Sequence, residues 1–261
     1  MHVSFLSILF MTVSAIVQIG TPVCLFIYFR KKFDAKFLPL VFGVLGFVIF
    51  VLVLESSIHS IVFKSFSLRE KPAVFIIYGI FMAGIFEETA RFVSFNILKR
   101  KYSGISTGLV YGVGHGGIES ILIAGLPMMI SVIASIIINT GNIEIITNSF
   151  QGDTSTAING WINSLSASVP YMFLISGSER LMAICIQLSL SIIVFYSVYR
   201  KKIYLYPFAI LLHAIFDIPA AAFQVGVIKN IFFIEGITLL FAAASVLSAK
   251  LIHDKLKNTE Q

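Results

Sequence analysis

Residues 84–119 read GIFEETARFVSFNILKRKYSGISTGLVYGVGHGGIE, and on either side of the basic cluster Lys99-Arg100-Lys101 they place five acidic, arginine or histidine side chains in otherwise apolar sequence. These side chains belong to Glu87, Glu88, Arg91, His115 and Glu119. An ionised group in a membrane-spanning helix costs about 2.5–3.5 kcal/mol on insertion scales, so such groups are rare there unless they serve a function. The stretch therefore predicts a polar reaction centre among membrane helices.

The composition of the whole chain is that of a membrane protein. Of its 261 residues, 57% are hydrophobic and only 12% are charged, and the mean hydropathy is +0.94. Soluble domains carry about 25% charged residues. The net charge of +6 comes from short basic clusters between apolar runs, a pattern that reports topology and argues against a nucleic-acid partner. Cys24 and Cys185 lie in apolar segments without metal-ligand spacing, which argues against a disulfide framework.

The apolar runs predict an all-α, polytopic helical bundle that forms one integral-membrane domain over residues 1–261. About 20 apolar residues are needed to cross a bilayer as a helix. Seven runs meet this length, over residues 5–29, 37–63, 72–98, 104–138, 179–199, 203–224 and 228–252. A polar extracytoplasmic loop is predicted between the fourth and fifth helices, over residues 139–178.

Basic clusters at three helix ends predict the orientation. Arg30-Lys31-Lys32, Lys99-Arg100-Lys101 and Arg200-Lys201-Lys202 would all lie on one side of the membrane. Lysine and arginine are enriched in cytoplasmic loops, so the N-terminus is predicted outside and the C-terminus in the cytoplasm. We expect a multi-pass protein of a cell membrane, in particular a bacterial plasma membrane.

Three predicted helices bring polar residues to a similar depth. Glu87 precedes Lys99 at the end of its helix by twelve residues, and His115 and His213 follow the starts of theirs by about eleven and ten. At 1.5 Å per residue, all three lie about 15–18 Å from the cytoplasmic edge, near the bilayer midplane. Gln187 lies at about 20 Å and reaches the same level without a charge.

Helical spacing groups these residues further. Three pairs are four residues apart and so share a helix face: His115 with Glu119, His213 with Asp217, and Glu55 with His59. Arg91 follows Glu87 by four residues and Glu88 by three, so we expect it to hold one carboxylate ionised and leave the other for chemistry. Glu55 and His59 lie near the outer helix end, where helix pairing or a role at the rim of the site is expected.

At these residues the chain resembles the glutamate-dependent intramembrane proteases, that is, the CAAX-protease and bacteriocin-processing (Abi, CPBP) superfamily and its relatives. Its most specific resemblance is to the YhfC-type intramembrane metalloprotease or membrane peptidase family. Three motifs carry it, in order and on separate helices: Glu87-Glu88-Thr-Ala-Arg91, Tyr111-Gly-Val-Gly-His115 with its Gly-Gly-Ile-Glu119 continuation, and His213-Ala-Ile-Phe-Asp217. The resemblance covers about residues 55–219.

The resemblance implies a catalytic role for six residues. Glu87 would act as general base on a water molecule, which His115 would help to hold, while Glu88 and Arg91 would support the site. His213 with Asp217 would stabilise the oxyanion. An ionised Asp cannot donate a hydrogen bond, so Asp217 would be protonated, orient His213 or bind a metal. Residues near the substrate or supporting these groups would be Glu119, Gln187, Glu55, His59 and Tyr111.

Metal dependence stays open at the sequence level. Two histidines and several carboxylates suit a borderline divalent ion, with Zn²⁺ the default for hydrolysis. His115, His213 and Glu87 are the candidate ligands, with Glu119 or Asp217 as alternatives to Glu87. The chain has no HExxH motif, so the common zinc-protease helix is excluded.

The predicted function is hydrolysis of a peptide bond in a membrane-associated peptide or protein. Two other classes remain. Intramembrane carboxylates and histidines also occur in ion- or proton-coupled transporters. A polar network can also hold helices together in a non-catalytic immunity or interaction protein.

Overall fold

The computed structural model describes residues 1–66, 70–148 and 152–258. No strand occurs in these residues, and seven of their helices are long and apolar enough to cross a membrane. The prediction of an all-α membrane protein with seven spans is therefore confirmed. In chain order the helices are α1 Phe5–Phe33, α2 Phe37–Ser65, α3 Pro72–Leu98, α4 Ser106–Asn139, α5 Glu144–Thr147, α6 Asp153–Ala167, α7 Tyr171–Tyr199, α8 Leu205–Gln224 and α9 Ile231–Asn258.

Two of the spans contain a wider helical segment. In α2 the backbone is π-helical over Phe47–Glu55, and in α4 it is π-helical over Ser120–Gly125. The second segment ends two residues before Pro127. Short π-helical segments often occur at functional sites. The first segment ends with Glu55, and the second begins directly after Glu119.

The segment predicted as an extracytoplasmic loop is largely helical. The polar run at 139–178 contains α5, α6 and the first two turns of α7, which begins at Tyr171 and not at residue 179. Residues 149–151 of this predicted loop lie outside the described residues. Helix α6 forms because its apolar residues lie at helical spacing and share one face. These residues pack in a hydrophobic cluster and are Ile158, Trp161, Ile162 and Leu165.

The chain forms two compact units, Met1–Thr21 with Glu119–Leu181, and Pro22–Ile118 with Met182–Gln261. The prediction of a single membrane domain stays a prediction. In the first unit, Val3 and Met11 of the N-terminal region pack with Ala134, Ile138 and residues of α6. Asn139 fixes the chain start in this unit, because its side chain exchanges two 2.8 Å hydrogen bonds with the backbone of Val3.

The second unit has the larger core and carries the polar residues of interest. Every residue from 189 to 198 of α7 is buried, as expected for a helix enclosed by its neighbours. Phe95 of α3 and Tyr111 of α4 pack in the same core as Leu190 of α7, at 0% exposure each.

Glycines allow α2 and α4 to approach closely within this unit. A Cβ atom on Gly43 would lie 2.2 Å from the carbonyl oxygen of Tyr111, and one on Gly114 would lie 2.2 Å from that of Leu40. Backbone contact of this kind is common where small residues meet between membrane helices. The close approach fixes the position of His115, one residue after Gly114.

Candidate active site

Helix α3 supplies the charged centre of the second unit. Glu87, Glu88 and Arg91 are 6%, 0% and 0% exposed. Arg91 Nη1 donates to Glu88 Oε1 at 2.5 Å, whereas Nη2 is 3.5 Å from Glu87 Oε2. The guanidinium therefore contacts Glu88 more closely than Glu87.

Helix α4 places His115 against Glu87. Its Nε2 lies 3.0 Å from Glu87 Oε2, and the ring is completely buried. The ring is fixed by Phe47, which contacts it edge-on at a centroid distance of 5.4 Å, and by Tyr111, which stacks on it at 5.9 Å. Because an ionised carboxylate only accepts hydrogen bonds, the nitrogen facing an ionised Glu87 is the protonated one. Tyr111, predicted near the site, thus orients His115.

Helix α7 contributes an amide to the same carboxylate. Gln187 Nε2 donates to Glu87 Oε2 at 3.0 Å, and its Oε1 accepts a hydrogen bond from Arg91 Nη2. One turn later, Ser191 Oγ accepts from Arg91 Nε at 3.2 Å and donates to the Gln187 carbonyl at 2.8 Å. Gln187 is therefore part of the centre, as its depth predicts. Ser191 was missed, although its position four residues after Gln187 places it on the same helix face.

Helix α8 completes the centre with His213 and Asp217. His213 Nδ1 lies 2.7 Å from Glu88 Oε1. Its Nε2 lies 3.4 Å from Asp217 Oδ2 and 3.8 Å from Glu87 Oε1. The ring is almost fully buried, whereas the Asp217 side chain is 39% exposed. Asp217 is therefore the residue of this centre whose side chain is partly exposed.

Together these contacts join Glu87, Glu88, Arg91, His115, Gln187, His213 and Asp217 into one polar cluster. Glu87 has a different environment at each oxygen. Its Oε2 is approached by nitrogen atoms of His115, Gln187 and Arg91, while Oε1 faces His213 Nε2. Glu87 is therefore fixed through one oxygen and directed at an imidazole through the other.

Whether the cluster fits a metal ion can be tested on its donors. Imidazole and carboxylate are ligands that zinc accepts, and His115 Nδ1 is buried with no hydrogen-bond partner among the described residues. The positive charge beside Glu87 Oε2, however, is already supplied by Arg91. No three His, Cys, Asp or Glu side chains in the described ranges form a group that could hold a metal ion. In this arrangement the residues, including the candidate ligands His115, His213 and Glu87, do not fit a metal.

Glu55 and His59 form a separate group in the same unit. Glu55 Oε1 lies 3.1 Å from His59 Nε2, and His59 Nδ1 lies 2.9 Å from the Tyr78 hydroxyl. The predicted i, i+4 pair is therefore made, and Tyr78 of α3 extends it. Sequence reasoning missed Tyr78, because a tyrosine in an aromatic-rich helix carries no signal of its own.

Glu119 lies in the first unit and has a basic partner there. Arg180 Nη1 donates to Glu119 Oε1 at 3.2 Å, and its Nη2 donates to Glu179 Oε1 at 2.8 Å. The sequence pairs Glu119 with His115 by spacing alone. The structure adds an arginine from α7 that follows Glu119 by 61 residues.

Comparisons with known proteins found a family and a relative that are both described as membrane proteins. The sequence model of a family described as YhfC intramembrane metalloprotease matches residues 13–238. The chain is also similar to a relative in Bacillus subtilis (strain 168), described as "Uncharacterized membrane protein YhfC". The two are 32% identical over 244 residues, which cover 92% of this chain and 94% of the relative. No solved structure matches the chain.

Proposed function

The chain belongs to the YhfC intramembrane metalloprotease family, and from this premise we propose that it hydrolyses a peptide bond in a membrane-associated peptide or protein. The family description supplies the reaction class. The observation that carries the proposal is the 3.8 Å separation between Glu87 Oε1 and His213 Nε2. This distance is too long for a direct hydrogen bond, and one water molecule can bridge the two atoms.

In the proposed reaction Glu87 Oε1 takes a proton from a water molecule, whose oxygen attacks the carbonyl carbon of the substrate. His115 and Gln187 hold Glu87 Oε2, so the other oxygen keeps its direction. The C–N bond of the tetrahedral intermediate then breaks, and Glu87 returns its proton to the leaving amine. A positioned general base contributes about 10²–10⁴-fold to such a reaction.

His213 is assigned to the oxygen that becomes negative. Glu88 faces its Nδ1 at 2.7 Å and is itself bound by Arg91, so Nδ1 donates to an ionised Glu88. When the ring is doubly protonated, Nε2–H is available to the oxyanion. A donor placed for the charge of the intermediate is worth about 10²–10³-fold in rate.

The family description includes a metal, and the donors discussed above do not gather around one. We therefore assign the permanent positive charge at Glu87 to Arg91, and route no step through an ion. Metal analysis of the purified protein tests this assignment. Full activity after removal of bound metal is expected. Loss of activity to a chelator with recovery on adding zinc would overturn the assignment.

The test of the proposed function compares cells that produce the wild-type chain with cells that produce Glu87→Gln. New protein termini in the membrane fraction are identified by mass spectrometry, and a cleaved peptide is then offered to reconstituted protein. Glutamine keeps the volume of Glu87 and removes the base, so cleavage is expected to fall by about 10²–10⁴-fold while thermal unfolding changes little.

Glu144→Gln is the matched control, because Glu144 is an exposed acid of the short helix α5. Termini that persist in the Glu87→Gln cells would contradict the proposal. Ion flux through sealed vesicles without any cleavage product would indicate transport instead. A phenotype that survives Glu87→Gln would indicate an interaction protein.

A further inference from the structure

A cavity of about 380 Å³ adjoins the polar cluster within the second unit. Helices α2, α3 and α8 form its walls, and six of its lining residues are Glu55, His59, Phe63, Phe75, Tyr78 and Asp217. Asp217 belongs to both places, because its Oδ2 also lies 3.4 Å from His213 Nε2. The cavity therefore lies where a substrate residue next to the scissile bond would enter. Its volume is within the range of small-ligand sites.

Glu55 is the unusual residue of this cavity. It is only 5% exposed, and His59 Nε2 contacts its Oε1 at 3.1 Å. Its second oxygen, Oε2, has no hydrogen-bond partner among the described residues. A buried carboxylate oxygen without a donor is unfavourable and calls for an explanation. A donor supplied by a bound ligand is one such explanation.

Aromatic rings line the cavity beside this carboxylate. Phe63 stacks on His59 at a centroid distance of 5.5 Å and on Phe75 at 5.8 Å, and the Tyr78 ring meets Phe63 edge-on at 5.9 Å. The faces of such rings attract cations. No lysine or arginine is found among the described residues that line the cavity. Carboxylates, aromatic faces and the lack of a basic lining residue together favour a cationic ligand.

We propose that this cavity binds an ammonium or guanidinium group, and that Glu55 Oε2 accepts a hydrogen bond from it. In the substrate the group is the side chain of a lysine or arginine close to the scissile bond. The identity of the substrate group rests on the proposed peptidase function, whereas the binding of a cation in the cavity does not. Asp217, on the wall shared with the polar cluster, adds a second negative charge.

The first experiment measures binding without catalysis. The full-length protein in detergent is titrated with n-butylammonium or n-butylguanidinium chloride, and with n-butanol as the uncharged probe. Saturable binding of a cation is expected by calorimetry and as a rise in melting temperature. Glu55→Gln is expected to weaken it at least tenfold, while Glu55→Asp recovers part of the affinity and Glu144→Gln leaves it unchanged. Equal binding by wild type and Glu55→Gln would overturn the proposal.

The second experiment uses a peptide that the reconstituted protein cleaves. Replacing its lysine or arginine nearest the scissile bond with norleucine is expected to raise KM at least tenfold for the wild type and to have little effect on Glu55→Gln. An equal effect on both proteins, or none on the wild type, would overturn the subsite.

The two proposals can fail separately. Cation binding that depends on Glu55, in a protein that cleaves no peptide, would support the cation site and contradict the proposed peptidase function. Cleavage that depends on Glu87 without any preference for a cationic residue would support the peptidase function and contradict the cation site. Binding of butylammonium is also expected in Glu87→Gln, because Glu87 is not among the residues that line the cavity.

Discussion

His213 Nδ1 lies 2.7 Å from Glu88 Oε1, across 125 positions of sequence, and the same oxygen accepts the 2.5 Å hydrogen bond from Arg91 Nη1. The two neighbouring glutamates thus have different hydrogen-bond partners. Glu88 is completely buried and ties α3 to α8 through Arg91 and His213. Glu87 is held by one oxygen and faces His213 with the other. In the proposed reaction, Glu88 is the fixed ionic support and Glu87 is the carboxylate that reacts.

The first prediction concerns the stability of this support. Arg91→Met removes the cation from two buried carboxylates, and breaking a buried ion pair in this way costs about 3–5 kcal/mol. We expect a clear fall in the midpoint of chemical or thermal unfolding in detergent. The unfolding midpoint of Arg91→Lys should lie between those of the wild type and Arg91→Met. Lysine keeps the charge but cannot contact Glu88, Gln187 and Ser191 together. Unfolding followed by circular dichroism measures the effect.

Lys36→Met is the matched control for Arg91. Lys36 forms an ion pair with Asp34 at 2.6 Å, and both side chains are largely exposed. Exposed pairs of this kind contribute little to stability, so no measurable change is expected. Equal stability of Arg91→Met and wild type would show that the cluster carries no buried charge.

The second prediction separates the two residues of α8. His213→Ala removes the proposed donor to the oxyanion, and we expect a loss of about 10²–10³-fold in kcat. Asp217→Asn should lower kcat by less than about fivefold. His213 Nε2 and Asp217 Oδ2 are 3.4 Å apart and the Asp217 side chain is 39% exposed, and partly solvated pairs of this kind are weak. Single-turnover cleavage by reconstituted protein measures both. A larger loss for Asp217→Asn than for His213→Ala would reverse the assigned roles.

The sequence predicts the cluster well because membrane depth is a simple coordinate. Residues at similar distances from their helix ends lie at similar heights, and the structure brings Glu87, His115, Gln187 and His213 into one network. Depth does not specify which faces of the helices meet, however. Ser191 and Tyr78 were missed for this reason, since each acquires its role from a residue on another helix.

The predictions were weaker where composition was used in place of spacing. The run at 139–178 is rich in Asn, Ser, Thr and Gly, and this composition predicts a loop. Its apolar residues nevertheless follow helical spacing from Ile158 to Leu165, and they pack in a hydrophobic cluster in which Ile162 and Leu165 are buried. Small polar residues are only moderately unfavourable in a helix, so a packed apolar stripe outweighs them.

The third prediction tests the close approach of α2 and α4. A methyl group on Gly43 or Gly114 would meet backbone carbonyl oxygens at 2.2 Å, so the helices would have to separate. We expect Gly114→Ala to destabilise the protein by about 1–3 kcal/mol, as overpacking does, and to lower kcat by moving His115. Unfolding midpoints and cleavage rates provide the measurements.

Gly236→Ala provides the comparison for this glycine. Gly236 lies within α9, and a Cβ atom there would have no neighbour within 4 Å. Alanine is the better helix former by up to about 1 kcal/mol, so unchanged or slightly higher stability is expected. If Gly114→Ala behaved in the same way, α2 and α4 would not be in backbone contact.

The fourth prediction concerns the orientation in the membrane, which follows from the basic clusters at the ends of α1, α3 and α7. In a chain with Cys24→Ser and Cys185→Ser, single cysteines are placed at Asp34 and at Glu144, both of which are exposed. We expect a membrane-impermeant maleimide to label Glu144→Cys on intact bacterial cells and to label Asp34→Cys only after lysis. This result is expected because lysine and arginine are enriched on the cytoplasmic side. The opposite labelling would place the polar run between α4 and α7 in the cytoplasm and the basic clusters outside.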